Sequence, residues 1–202
     1  MAITERYSLK VSIAEIKVEE YLHDYSNIPY FLSMCQQCSS YSKRWCCPPF
    51  SFDIKSTLSQ FTYAHIIGVQ ILFSEAMQLE AESLGNGRET TNSVIGEVWR
   101  DVHPKLLKLR TLYSPSIAFS IGCHLCEGDI CSRVKGEACL HPDKMLYSLE
   151  SFGFDVAKTA RQLLDIELLW SKDKKMPEYL TLIFGLFTND KIEKEELNQL
   201  FA

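Results

Sequence analysis

Four thiols lie between residues 123 and 139 of this 202-residue chain: Cys123-His-Leu-Cys126, then Cys131 and Cys139. A second set comes much earlier, as Cys35-Gln-Gln-Cys38 followed by Cys46-Cys47-Pro48-Pro49. Together these are all eight cysteines of the chain. A Cys-x2-Cys step puts two thiolates on one tight turn, close enough to hold one ion or two corners of one cluster. Cys123, Cys126, Cys131 and Cys139 therefore supply a complete four-sulfur shell. The earlier set supplies Cys35, Cys38 and one of the adjacent pair. Neighbouring side chains of an extended chain point to opposite faces, so Cys46 and Cys47 are not both expected at one centre. Cys47 is the better ligand because a proline follows it, as at ferredoxin cluster ligands. Cys46 is then a spare thiol, a substitute ligand or a buried residue.

The spacing bears on which metal is held. Zinc ribbons bring two Cys-x2-Cys knuckles together. Each set here has one such pair followed by single cysteines, after x7 or x8 in the first and after x4 and x7 in the second. That staggered pattern favours iron–sulfur ligation, with one or two [4Fe–4S] clusters; zinc is the alternative cofactor.

Composition frames this chemistry. Apolar residues make up 46% and charged residues 23%, as in ordinary globular domains. A net charge of −5 argues against nucleic acid as a partner. The first residues lack a basic stretch followed by an apolar one, and no apolar run approaches the ~20 residues of a spanning helix. The chain is expected to be cytoplasmic and free of membrane, where clustered cysteines are metal ligands rather than disulfides.

The elements that must position the cysteines follow from periodicity. Residues 7–13 alternate as a strand, and a short helix follows near 19–22. Residues 25–31 contain Pro29 and read as loop. Asp53 caps a helix over 54–61. Residues 63–73 form the clearest strand, long and apolar as a central strand should be. Ser74 caps a helix over 75–84, which stops at Gly85-Asn86-Gly87. A longer helix starts near 91 and is kinked or broken at His103-Pro104. Residues 116–121 are a second buried strand, and Gly122 turns it into the second cysteine set. Residues 144–152 and 156–164 read as helices. Residues 166–170 and 179–187 read as a long hairpin around 171–177, and the tail from 191 is helical. The expectation is one domain over 1–202: α/β, a mixed sheet with flanking helices, and a cysteine-rich metal-binding lobe in which 35–49 and 122–142 come together.

Two longer patterns carry a resemblance. The first is Cys35-x2-Cys38-x2-Tyr41-x3-Trp45-x-Cys47-Pro48-Pro49. The second is Gly122-Cys123-x2-Cys126, Cys131, Cys139-x-His141-Pro142, then Tyr147-Ser148-x-Glu150-x2-Gly153-x-Asp155-Val156. Over about 30–160 the chain resembles the cysteine-rich prokaryotic family of predicted metal-binding proteins known as domain of unknown function 2284. The resemblance implies metal binding, most simply as iron–sulfur, by Cys35, Cys38, Cys47, Cys123, Cys126, Cys131 and Cys139. It carries over no substrate, since the family has no established activity. Ala138-Cys139-Leu140 stands where Pro-Cys-Arg is more usual, which weakens any anion recognition there.

Other residues are weighed against ordinary roles. His124 and His141 flank ligand cysteines and could ligate or orient, although loop histidines usually do neither. His65 and His103 read as structural. Lys43 and Arg44 could offset thiolate charge, and Trp45 could shield a cluster. Ser148 and Glu150 could hydrogen-bond to a cluster or carry protons, though such residues more often cap helices. The chain lacks Gly-x-Ser-x-Gly, His-Glu-x2-His and a phosphate loop, so hydrolase chemistry is not indicated. Whether the protein is an enzyme stays open. Three functions follow: an electron-transfer protein with a redox partner, an iron–sulfur enzyme with an open iron at Cys35, Cys38 and Cys47, or a zinc-stabilised interaction module.

Overall fold

A computed structural model describes residues 6–171 and 175–201. Four strands form one sheet: β1 (Tyr7–Lys17), β2 (Tyr63–Phe73), β3 (Ser116–Phe119) and β4 (Tyr179–Thr188). The spatial order is β1-β2-β4-β3, and every neighbouring pair is antiparallel. The α/β class stands, but the sheet is not mixed in direction. The one parallel link among the described residues is an isolated bridge between Phe119 and Tyr147.

Strand β2 is central, as its apolar run requires, and its alternation serves two cores. Ala64 and Ile66 face one side with Ile16, Ile183, Phe187 and Phe119. Ile67, Val69 and Ile71 face the other with Leu182, Phe184 and Leu186. A strand buried on both faces needs apolar residues at successive positions, which is why 63–73 does not alternate. Gly68 is the exception: a Cβ there would lie 2.8 Å from Leu164 Cδ1.

The second core is covered by α5 (Gly87–Leu112) through Val94, Val98, Val102, Leu106 and Leu109, with α7 (Lys194–Phe201) beside it. Of the kink or break expected at His103-Pro104, the break does not occur: helix α5 is one helix of 26 residues with Pro104 inside it. The buried stripe on both sides of Pro104 holds the helix together, outweighing the hydrogen bond the proline removes. Helix α4 (Glu75–Leu84) is capped by Ser74 and ends at Gly85, whose φ of 65° is the left-handed conformation of a helix C-terminus.

The first core is covered by α1 (Val18–Asp24), α3 (Ile54–Leu58, capped by Asp53) and α6 (Val156–Leu163, capped by Asp155). Three expectations fail on this side. The loop expected over 25–31 ends early: from Ile28 the chain forms α2 (Ile28–Gln36), with Asn27 accepting from the Tyr30 N–H and Pro29 in the first turn. Proline is tolerated there because that N–H has no helical partner. Residues 144–152 are not a helix, because the Ser120 N–H donates to the Tyr147 carbonyl at 2.7 Å and draws the chain onto the sheet edge. Only Glu150–Phe152 makes a 3₁₀ turn. Residues 166–170 do not pair with β4, whose two edges are taken by β2 and β3. The loop expected at 171–177 lies partly outside the described residues.

Candidate metal centre

The second cysteine set leaves the end of β3 and returns to it. Ser120 accepts from the Trp99 indole N–H at 3.2 Å, the chain departs at Ile121, and the Ser120–Tyr147 hydrogen bond closes the excursion. The first set leaves the end of α2, so Cys35 sits on a helical last turn. Helix α2 is fastened to the return of the excursion. The Asn27 N–H donates to Gly153 O at 2.9 Å, and the Asp155 N–H to Tyr25 O at 2.8 Å. Gly153, at φ +85°, lets the backbones close: a Cβ there would lie 2.6 Å from Ile28 Cα.

Residues 35–49 coil through successive turns, with Cys38 N to Cys35 O at 3.0 Å, Cys47 N to Arg44 O at 3.0 Å and Ser42 N to Pro48 O at 2.8 Å. Arginines fasten this coil to the excursion in both directions. Arg44 donates to Cys123 O at 2.6 Å. Arg133 donates to Arg44 O, Cys47 O and Pro49 O at 2.8, 2.6 and 2.7 Å. Its guanidinium also stands 5.0 Å from the Trp45 ring, and the Trp45 indole donates to Glu137 O at 3.1 Å. Trp45 therefore joins the coil to the excursion. Arg133 was not singled out by the sequence; the available signal was a cation two residues after a ligand-type cysteine.

Two cavities open among these thiols. One is narrow, with about 330 Å³ of atom-free space, and is lined by Cys46, Cys123, Cys126, Cys131 and Cys139 with Trp45, His141 and Met145. The other is larger and more open, with about 840 Å³ of atom-free space. Cys35, Cys38, Cys46, Cys47 and Cys123 line it, together with Tyr41, His124, Ser148 and Glu150. Arg44, Cys46 and Cys123 belong to both walls. All eight cysteines are free thiols. Among the described residues, no three His, Cys, Asp or Glu side chains converge on one point as a ready shell for a single ion.

The sulfurs are prepared as acceptors. The Ser40 N–H points at Cys38 Sγ at 3.5 Å, and the His141 N–H at Cys139 Sγ at 3.4 Å. Burial pushes the Cys126 thiol up, opposed by the Ser132 backbone N–H and assisted by the facing Cys131, Cys123 and Cys139. Burial also raises Cys35, with Cys47 and Cys38 adding to it. Cys46 and Cys47 have sulfurs 3.9 Å apart and split in opposite directions. Cys46 is held protonated by its contacts with Cys123 and Cys47 and by burial. Cys47 is drawn down to about 7, chiefly by the Cys46 thiol and then by Arg44 and Arg133, against the effect of burial. A cluster of thiols that raise one another when ionised is relieved by a cation among them, the donor chemistry of a soft metal site. Ser132 Oγ, next to Cys131 in the chain, is buried with no partner among the described residues.

The matching family model, described as predicted metal-binding protein (DUF2284), covers residues 22–184. The chain belongs to this family. No curated protein and no solved structure matches it. For this member of the DUF2284 family, metal binding is thus a property of the family as described, and both cysteine sets lie inside the matched region.

The remaining candidates fall near the site in different ways. His141 lines the narrow cavity, and His124 lines the open one with its ring centroid 5.5 Å from that of Trp99 in an edge-to-face contact. Glu150 is crowded by protein yet still wetted by the open cavity, and desolvation raises its carboxyl. His65 and His103 are buried and line neither cavity. No helix among the described residues is long and apolar enough to cross a membrane.

Proposed function

We propose that this protein holds two adjacent iron–sulfur clusters, most simply [4Fe–4S], and passes electrons between a redox partner and a second acceptor. The observation that carries this reading is the pair of thiol-lined cavities with one shared wall of Arg44, Cys46 and Cys123. Cys35, Cys38, Cys47, Cys123, Cys126, Cys131 and Cys139 are the residues that would hold the groups. Bound clusters supply one-electron transfer over a wide range of potentials. The chain's own part is to fix the thiols on two braced loops, to direct backbone N–H groups at their sulfurs, and to set Arg44 and Arg133 near the thiolate charge. N–H···S bonds and nearby cations raise a cluster's potential by stabilising its more negative form.

One observation favours zinc as a second reading. A tetrahedral thiolate shell with Zn–S of about 2.3 Å has sulfurs about 3.8 Å apart. The Cys46–Cys47 separation of 3.9 Å is close to that edge. Anaerobic purification decides between them. Iron and sulfide in equal amounts, with broad absorbance at roughly 400 nm, support the clusters. A colourless protein with stoichiometric zinc and no iron refutes them.

A further inference from the structure

We infer that the two sites exchange one ligand each: Cys123 completes the set of Cys35, Cys38 and Cys47, and Cys46 completes the set of Cys126, Cys131 and Cys139. This inference rests on the two-centre reading and reassigns the ligands that spacing alone suggests.

The argument starts from what flanks the two shared thiols. Cys123 lies on both walls, but its neighbours Ile121, Gly122 and His124 line only the open cavity. The local chain around Cys123 is thus part of the first site's wall. Cys46 also lies on both walls, and its neighbours divide. Trp45 lines only the narrow cavity, and Cys47 lines only the open one. At Cys46 the chain crosses from one site to the other. The two sulfurs are 3.9 Å apart, and with Cys47 confined to the open cavity, Cys46 is the thiol of the pair that reaches the narrow one.

The exchange also explains three facts that the in-segment assignment leaves apart. Cys46 is 2% exposed, although it lies on a coil whose other cysteines are partly or well exposed. Arg44 donates to the carbonyl of Cys123, the one residue of the excursion that the first site would borrow. Arg133 donates to the carbonyl of Cys47, next to the residue the second site would borrow. Each arginine therefore braces the crossing point opposite its own segment. Eight cysteines then divide into two four-thiol shells, and neither site has an unused thiol. Ligand exchange of this kind is known chemistry, since in two-cluster ferredoxins a cysteine of one run serves the other cluster.

The test compares spectral fingerprints. Cys38→Ala and Cys131→Ala, reconstituted anaerobically with iron and sulfide, define by electron paramagnetic resonance and Mössbauer spectra which component belongs to which site. Cys123→Ala is expected to alter the component that Cys38→Ala alters, and Cys46→Ala the component that Cys131→Ala alters. In each case iron falls from roughly eight per chain toward roughly four. The inference is overturned if Cys123→Ala alters the Cys131 component or both components, or if Cys46→Ala leaves both unchanged. Cys46 is buried, and should Cys46→Ala fail to fold, Cys123→Ala alone decides. Failure of the two-centre reading shows in the unmodified protein, as iron and sulfide absent or no more than roughly four of each per chain. Failure of the exchange shows only in the variants.

Discussion

Arg133→Ala should loosen residues 35–49 from the excursion without unfolding the sheet. The half-buried guanidinium makes three hydrogen bonds to carbonyls of the first cysteine coil, at 2.6–2.8 Å. A bond from a charged donor contributes about 1.5–3 kcal/mol when well shielded. Partial exposure brings each toward about 1 kcal/mol, so the set contributes about 3 kcal/mol to holding residues 35–49 against the excursion. That is roughly a 100-fold change in the local opening equilibrium. Hydrogen exchange on the reduced, metal-free protein reads it directly. Amides of Cys38, Tyr41 and Cys47 should lose about 100-fold protection, while those of β2 stay as they were. Arg133→Lys should fall between, because an ammonium cannot span three carbonyls. If protection of the coil changes less than about threefold in Arg133→Ala, the reasoning that this arginine is the main fastening is wrong.

Gly153→Ala places a methyl 2.6 Å from the Ile28 backbone at φ +85°, and should cost about 2–4 kcal/mol in urea unfolding. His65 and His103 are both held below the ordinary value of 6.5, mainly by burial. The unfolded chain therefore binds protons that the folded one refuses, so stability should rise with pH up to about 6.5 and level off above it. His103→Gln should flatten part of that slope in urea melts at stepped pH. Stripping metal anaerobically should lower the thermal midpoint and expose 35–49 and 122–142 to protease before any strand is cut.

The sheet was legible where burial on both faces imposed a pattern. Residues 63–73 and 179–187 are apolar at consecutive positions, and they became the two inner strands. Ser74, Asp53 and Asp155 announced their helices because a cap is a local interaction. What sequence could not show was the partner of a segment. Residues 166–170 look like a strand, but β2 and β3 occupy both edges of β4. Residues 144–152 have helical periodicity, but the Ser120–Tyr147 bond takes them to the sheet edge. The thiols were legible as two clusters. The way the clusters meet was not, because spacing reports which cysteines are near in the chain, whereas the Arg44 and Arg133 contacts and the shared wall arise only when the two segments meet.

Strand β4 lies between β2 and β3, yet it is the last strand to leave the ribosome. Until residue 188 emerges, β2 and β3 each present an unpaired edge, and both cysteine segments are already complete. Nascent thiols thus wait on a scaffold that has not closed. Domains fold as units during synthesis at ~5–20 residues per second, so some seconds separate the last cysteine from the strand that seals the sheet. An open apolar edge in that interval exposes the chain to aggregation. A stop codon just before Tyr179 would make that interval permanent.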